Sequence, residues 1–173
     1  MANRDALRQF QTHLANRLQE ARTSGATASW LAVEAANGKY LFPLTQAGEI
    51  FPWSAARPVP YTYPWFLGVA NLRGGLFGVV DLGGFVTGVP RREAVIDNAR
   101  LVALNGALEI NCALLIDRLA GLRTADAFRS SVPREPQAPA FFGSGYTDAD
   151  GTYWQEINLQ LLSQTPEFLS ISA

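Results

Sequence analysis

Residues 65–82 read WFLGVANLRGGLFGVVDL, the most regularly patterned stretch of the chain. Two apolar runs flank the pair Gly74-Gly75, while Asn71 and Arg73 interrupt the first run. Glycine tolerates the positive φ angles that a two-residue hairpin turn requires. We therefore predict a β-hairpin that turns at the glycine pair. The expected cross-strand pairs are Leu72 with Phe77, Ala70 with Val79, and Arg73 with Leu76 beside the turn.

Three further stretches show an apolar pattern on both sides of a turn signal. Asn37-Gly38 lies inside WLAVEAANGKYLFPL (residues 30–44), Asn105-Gly106 separates two apolar runs, and DADG lies inside YTDADGTYWQEINL. Asn, Asp and Gly are the residues that tight turns favour, so each stretch predicts a hairpin. The expected pairs are Ala35 with Tyr40, Val33 with Phe42 and Leu31 with Leu44 in the first, and Leu101 and Ala103 near Ile110 and Leu108 in the second.

Helices are expected only at the two ends of the chain. Over residues 4–22, apolar side chains recur three or four positions apart, with Asn3 as N-cap, and this spacing predicts one helix face. That face consists of Leu7, Phe10, Leu14, Leu18 and Ala21. Thr165 and Pro166 are typical of the N-cap and first residue of a short C-terminal helix. Hairpins between terminal helices predict an antiparallel β architecture: a barrel, paired barrels or a sandwich.

The composition is that of a folded protein with no global affinity for nucleic acid or membranes. Of 173 residues, 48% are apolar and 17% charged, and the formal net charge is −1. These values argue against disorder and against electrostatic binding to nucleic acid.

No apolar run reaches the roughly 18 residues of a membrane span, and the charged start MANRDALRQF does not resemble a signal peptide. With Cys112 as the single cysteine, we expect a cytoplasmic protein without a disulfide.

The charges are unevenly distributed along the chain. Residues 135–173 contain no Lys or Arg, so this segment is acidic and the remainder is mildly basic. The acidic residues of the segment are Glu135, Asp148, Asp150, Glu156 and Glu167. Weak attraction between two parts of the protein explains this asymmetry more simply than a binding site for acids does.

Residues that could carry catalysis or hold a metal are few. His13, the only histidine, falls on the predicted N-terminal helix, and Cys112 falls on a predicted strand, where free cysteine usually packs as a small apolar residue. DADG fails as a calcium loop because its twelfth position is Ile157. Asp81 and Asp117 end apolar strands and could act as an acid–base pair, as in a hydrolase, or as turn and ion-pair residues. We expect no enzyme activity, no cofactor and no metal.

Aromatic residues crowd the proline-rich stretch at residues 52–64, which we expect to be a loop because proline lacks a donor for sheet pairing. They are Phe51, Trp53, Tyr61, Tyr63, Trp65 and Phe66. These side chains could plug the end of a barrel, form a surface for a partner, or line an enclosed ligand cavity of about 300 Å³ or more. A second proline-rich loop is expected at residues 130–145.

The stretch FLGVANLRGGLFGVVDL resembles the signature of the CheW-like domain of bacterial chemosensory adaptors. The family pattern, close to GV-NLRG----VVDL, falls on Gly68, Val69, residues 71–74 and residues 79–82. The flanking segments LTQAGEIFPW, LLIDRLAGL and YWQEINLQLL are also similar to the family, in the same order. The resemblance covers residues 28–164, so we expect an N-terminal helical extension at residues 1–27 and a CheW-like domain at residues 28–173.

The resemblance implies a mainly β fold of two small five-stranded β-barrel subdomains, here with an N-terminal helix and a short C-terminal helix. It also implies a non-enzymatic adaptor that binds the CheW-like regulatory domain of a CheA-type histidine kinase and the tip of a methyl-accepting chemoreceptor. The added helix resembles the PilI subgroup of twitching motility by type IV pili. A flagellar-type coupling protein and a small-molecule-binding barrel are the alternatives. The narrow apolar stripe of the helix would allow a weak homodimer.

The resemblance assigns partner binding to the region around Arg73. The implied partner-binding residues are Glu49, Ile50, Asn71, Leu72, Arg73 and Gly74. Arginine has a planar donor group that suits a carboxylate or carbonyl of another protein. The alternative is an ion pair within the chain, from Arg73 to Asp81 or Glu49, that locks the turn.

Overall fold

Short β-strands dominate the chain, as the hairpin signals predict. The computed structural model describes residues 5–6, 8–15, 30–92, 94–95 and 97–173. Its strands are β1 (Trp30–Ala35), β2 (Gly38–Pro43), β3 (Ala47–Pro52), β4 (Phe66–Leu72), β5 (Gly75–Asp81), β6 (Arg100–Leu104), β7 (Cys112–Ile116), β8 (Arg118–Arg123), β9 (Phe128–Val132), β10 (Phe142–Asp148) and β11 (Tyr153–Ile157). Its helices are α1, described at residues 5–6 and 8–15, α2 (Leu82–Thr87), α3 (Leu159–Gln164) and α4 (Pro166–Leu169).

The strands form two sheets. The first has six strands in the order β8-β1-β2-β11-β10-β9, and the second has five in the order β3-β6-β7-β5-β4. The fold is therefore mainly β and divided into two units, as the resemblance implies. The first unit has one strand more than the expected five, because β9 pairs with the outer edge of β10.

The first sheet curls on itself. Its edge strands β8 and β9 follow one another in the chain with only residues 124–127 between them. Four linking residues span at most about 17 Å, whereas the edges of a flat six-stranded sheet would lie about 24 Å apart. The curled interior is filled by an aromatic cluster to which all six strands contribute. Its members are Trp30, Ala32, Leu41 and Trp154, with Ala120, Phe128 and Tyr146 packed against them.

The second sheet also approaches closure, through a backbone contact between its edges. The chain that leaves β3 returns along β4, where the amide of Arg57 donates to the carbonyl of Val69 at 2.7 Å and the amide of Val69 donates back at 2.9 Å. Gly68 makes this approach possible, because a Cβ at that position would lie 1.9 Å from the Arg57 carbonyl oxygen. The interior holds a second apolar cluster that includes Phe51, Leu72 and Leu115.

The two sheets pack on a shared core. The faces of β1 and β2 that point away from the first interior meet the corresponding faces of β5, β6 and β7. Leu31, Val33 and Phe42 lie there beside Leu114 and Ile116, all at most 5% exposed. Burying a side chain of this size contributes roughly 1.5–3 kcal/mol. Each sheet buries one of its faces only against the other sheet, so both units depend on this shared core.

Two predicted hairpins exist, but both of their turns lie one residue earlier than expected. The first turns at Ala36-Asn37, with φ of 48° and 63°, and the second at Arg73-Gly74, with φ of 50° and 81°. The predicted registers were therefore wrong. The observed pairs are Leu31 with Phe42, Val33 with Tyr40 and Ala35 with Gly38, then Ala70 with Phe77, Asn71 with Leu76 and Leu72 with Gly75. A shift of two residues leaves each side chain on its predicted face, which is why the apolar pattern alone did not fix the register.

The remaining elements divide between correct and incorrect predictions. The prediction at Asn105-Gly106 was wrong in its partner strand, because residues 105–111 form a loop with a 3₁₀ turn and the pairs are Leu101 with Leu115 and Ala103 with Ala113. The hairpin around DADG is confirmed. Thr165 and Pro166 begin α4 as predicted.

The N-terminal helix is confirmed in part. Helical backbone is described at residues 5–6 and 8–15, and all of these residues are exposed, including Phe10 (65%) and Leu14 (51%). The predicted N-cap Asn3, the other stripe residues and the expected boundary between residues 27 and 28 lie outside the described residues.

A buried ion-pair cluster joins the two sheets. Asp81 ends β5 with 2% of its surface exposed, and Arg91 contacts its carboxylate at 3.2 Å and that of Asp117 at 2.6 Å. The other oxygen of Asp117 accepts from the amide of Ala36, in the β1–β2 turn, at 2.9 Å. Burial acts to lower the pKa of Arg91, but its hydrogen bonds to Asp117 and Asp81 outweigh burial and raise it. The arginine therefore stays charged and links the second sheet to a turn of the first.

Replacing Arg91 should destabilise the fold strongly. In Arg91→Ala, the carboxylate of Asp81 stays buried without its cation, so we expect a loss of roughly 3 kcal/mol in the free energy of unfolding, measured by urea denaturation. Exposed Arg92 provides the matched control, and Arg92→Ala should change stability by less than about 0.5 kcal/mol. Equal effects of the two substitutions would contradict the linking role of Arg91.

Cys112 should be unreactive in the folded protein. Its side chain lies in the shared core, and burial raises the pKa of the thiol to about 12. At pH 8 only about one thiol in ten thousand would be ionised, and the thiolate is the reactive form. We expect negligible reaction with a colorimetric disulfide reagent under native conditions and one full equivalent after denaturation in urea. Rapid native labelling would show that the strand opens.

Candidate partner-binding site

The turn between β4 and β5 holds an arginine in a backbone conformation that arginine rarely adopts. Arg73 and Gly74 both have positive φ, as a two-residue hairpin turn of the primed type requires. The side-chain oxygen of Asn71 accepts from the amide of Gly74 at 3.0 Å, which fixes the turn from one side. A Cβ at Gly74 would meet no other atom within 4 Å, so the tip of the turn faces open space.

Arg73 pairs with Glu49 across the two edges of the second sheet. The guanidinium lies 2.7 Å from a carboxylate oxygen of Glu49, with 77% of the arginine side chain and 42% of the glutamate side chain exposed. Glu49 belongs to β3 and Arg73 follows β4, and these are the two outer strands of the sheet. Of the two intramolecular partners expected for Arg73, the structure therefore selects Glu49, since Asp81 pairs with Arg91.

The other predicted site residues differ in how much surface they offer. Ile50 is 38% exposed next to Glu49, whereas Leu72 is 5% exposed and packs into the second interior. Leu72 thus anchors the turn and offers a partner no surface. Sequence reasoning missed Leu76, which is 63% exposed and lies opposite Asn71 in the ladder. An apolar residue directly after the turn glycines, on the face opposite Phe77 and Val79, was the available signal.

The acid–base pair considered from sequence comes together in space. Asp81 and Asp117 line a cavity of about 430 Å³, together with Arg91 and Arg92. Both carboxylates already hold Arg91, and Asp117 also holds the backbone of Ala36. The arrangement can orient a turn and bridge two sheets, which is a structural use of these groups.

The remaining candidates for chemistry have structural explanations. Asp148 accepts from the amides of Asp150 and Thr152, each at 2.9 Å, and from the indole of Trp154 at 3.0 Å. These bonds lower the pKa of Asp148, with the indole as the largest contribution, and keep it an acceptor for the turn. In the described ranges, no group of three His, Cys, Asp or Glu side chains could hold a metal ion.

The clustered aromatic residues separate into a packed set, a groove, and Tyr61, which is 89% exposed. Phe51 is buried in the second sheet, and Trp53 and Phe66 pack on the apolar clusters. Tyr63 and Trp65 instead line an open groove of about 1060 Å³, which we call the aromatic groove. Its other lining residues are Phe85, Val86, Gly88, Pro139, Ala140, Phe141, Leu161, Gln164, Thr165, Pro166, Glu167 and Ser170.

No helix among the described residues is long and apolar enough to cross a membrane.

Comparisons with known proteins agree with this architecture. The CheW-like domain family matches residues 29–167. Among solved structures, the scaffolding protein TtCheW from Thermoanaerobacter tengcongensis is similar, with a TM-score of 0.64 and 17% sequence identity. The match covers 81% of this chain and 94% of that protein. No curated protein matches the sequence. Since the family match spans most of the chain and includes both sheets, this protein belongs to the CheW-like domain family.

Proposed function

We propose that this protein is a non-enzymatic cytoplasmic adaptor that couples methyl-accepting chemoreceptors to a CheA-type histidine kinase. Membership in the CheW-like family supports this function, as does the likeness in fold to a scaffolding protein. The turn at Asn71–Gly74, with Glu49 and Ile50 beside it, is the surface that the kinase's CheW-like domain or the receptor tip contacts. Leu72 supports this surface from inside.

The conformation of Arg73 is the observation that carries the proposal. A non-glycine residue with a φ of 50° costs roughly 1–2 kcal/mol relative to ordinary backbone. Its ion pair with Glu49 is largely exposed, and such pairs contribute about 0–1 kcal/mol. The ion pair therefore does not outweigh the strain, so stability alone does not explain an arginine at this position. Recognition of a partner gives a reason for an exposed arginine there, because strained residues cluster at functional sites.

The finer assignment is to the PilI subgroup, whose members serve twitching motility by type IV pili. It rests on the predicted extension at residues 1–27, whose described residues 5–6 and 8–15 are helical and which precedes a domain taken here as residues 28–173. Flagellar-type coupling would use the same surface, so the identity of the bound kinase distinguishes control of twitching from control of swimming. A cell that loses twitching but retains swimming after deletion of the gene would favour the pilus pathway.

A role as a small-molecule-binding module is the second candidate. This function requires an enclosed cavity, and the aromatic groove is open to solvent. Ligand sites bury most of a small molecule, so an open apolar groove suits a macromolecular segment better.

Reversing the charge of Arg73 should weaken partner binding without unfolding the protein. We expect Arg73→Glu to bind the CheW-like domain of the CheA-type kinase at least about tenfold more weakly by isothermal titration, as loss of a central arginine commonly does. The exposed Arg129 provides a matched control on the other sheet, and Arg129→Glu should bind as the unmodified protein does.

A charge swap separates recognition from the ion pair. The double variant Arg73→Glu/Glu49→Arg restores an ion pair of reversed polarity at the same place. If a partner contacts Arg73 directly, the double variant should bind as weakly as Arg73→Glu. Full recovery of binding in the double variant would show that the arginine acts only by holding Glu49, and unchanged binding by Arg73→Glu would remove the turn from the interface.

Relieving the strain at Arg73 should leave the fold intact while binding is lost. Asparagine is favoured at this turn position, so Arg73→Asn should be at least as stable as the unmodified protein in urea denaturation. Asn71→Ala loses the hydrogen bond to Gly74 and should cost about 1 kcal/mol. A loss of more than about 1 kcal/mol in Arg73→Asn would instead assign the arginine to stability.

A further inference from the structure

The aromatic groove is a surface that the adaptor function does not use. It lies where α2, the segment at residues 139–141 and the helices α3 and α4 meet. Its floor is rigid, because Trp65 packs edge-on against Phe85 at 4.9 Å and stacks on Phe168 at 6.3 Å. Leu161 remains 43% exposed at its margin. A fixed apolar floor with an exposed apolar margin is suited to receiving a helix face.

The same chain carries an apolar helix face that has no cover in this structure. Phe10 and Leu14 are 65% and 51% exposed on α1, so this helix does not occupy the groove of its own chain here. With Leu7 they have the spacing i, i+3 and i+7, which is the spacing of the anchor residues when an amphipathic helix lies in a groove. The chain therefore presents both an apolar helix face and an apolar groove that could bind such a face.

The charges of the two surfaces are opposite. Residues 4–22 carry four arginines against two acidic residues, a net charge of +2. The segment that contains the apolar stripe is therefore basic overall.

The part of the chain that supplies most of the groove lining is acidic. Most of its lining comes from residues 139–170, within the segment 135–173 that has five acidic residues and no Lys or Arg. Glu167 is the only charged side chain among its described lining residues. Complementary charge fixes the orientation and partner choice of an apolar contact more than it adds affinity.

We propose that the N-terminal helix of a second copy of this chain binds in the aromatic groove, with Leu7, Phe10 and Leu14 against the floor. A two-fold exchange, in which each copy inserts its helix into the other, fills both grooves and leaves no unpaired surface. Fourteen residues separate residue 15 from Trp30, a chain length that reaches up to about 46 Å and so allows the exchange. This association is independent of the contact at Arg73.

Sedimentation velocity of the full chain tests the exchange. Across a concentration series of about three orders of magnitude around the micromolar range, we expect a shift from monomer to dimer. Phe10→Glu and Leu161→Arg should each raise the dimer dissociation constant at least about tenfold, since each places a charge within the apolar contact. Both positions are exposed, so circular dichroism should show an unchanged fold.

Two matched variants control for the added charge. Gln9→Glu lies on the opposite side of α1 from the stripe, and Leu169→Arg changes an exposed leucine of α4 that does not line the groove. Both should dimerise as the unmodified chain does. Equal weakening by test and control variants would overturn the proposal.

A mixture of the two disabled proteins gives the sharpest result. Phe10→Glu alters the helix but keeps the groove, and Leu161→Arg alters the groove but keeps the helix. A dimer of either variant alone therefore has no intact helix–groove pair. Mixed in equal amounts, they should form a heterodimer through the one helix–groove pair that remains. Failure of the mixture to associate would overturn the exchange. So would an unmodified chain that stays monomeric at every concentration, whether its helix is free or lies in its own groove.

Discussion

The carboxylate of Asp81 cannot remain buried without a cation, and this constraint sets how the two sheets meet. Asp81 ends β5, and Arg91 holds it while also holding Asp117. The carboxylate of Asp117 in turn fixes the β1–β2 turn at Ala36. The backbone amide of Asp117 also donates to the carbonyl of Glu34 at 2.8 Å. The apolar core between the sheets is non-directional and would tolerate sliding. The hydrogen-bonded charges supply the direction, because each carboxylate must meet its own donors.

The motif GV-NLRG----VVDL therefore contains two kinds of residue. Gly68 lets the edges of the second sheet approach, Leu72 anchors the turn inside it, and Asp81 ties that sheet to the first. The strained and exposed Arg73 directly follows Leu72, within this frame. A rigid frame around a strained residue is the condition under which such strain persists, since the frame prevents the turn from relaxing. The structural residues thus serve the surface by holding its shape.

Sequence alone predicted the class of fold and the position of the exposed turn, because period-two alternation and turn residues are local signals. The sequence places both turns one residue late. It predicts Asn37-Gly38 and Gly74-Gly75 as the central pairs, whereas the observed pairs begin with Ala36 and Arg73, each at positive φ. It missed Arg91, which lies ten residues beyond Asp81 in a loop without periodicity. Such pairings depend on how distant segments fold together, and so does the aromatic groove, whose walls come from four separate parts of the chain.

The geometry of β4 separates the two contact surfaces proposed for this protein. Trp65, in the aromatic groove, immediately precedes β4, and Arg73 immediately follows it. Eight residue steps of extended chain place the two about 26 Å apart, which is comparable to the width of a standard interface on a small protein. The two proposed contacts, a partner centred on Arg73 and a helix beside Trp65, would therefore lie at opposite ends of the second sheet. The frame between these two ends is held by the ion pair of Asp81 and by the close approach at Gly68.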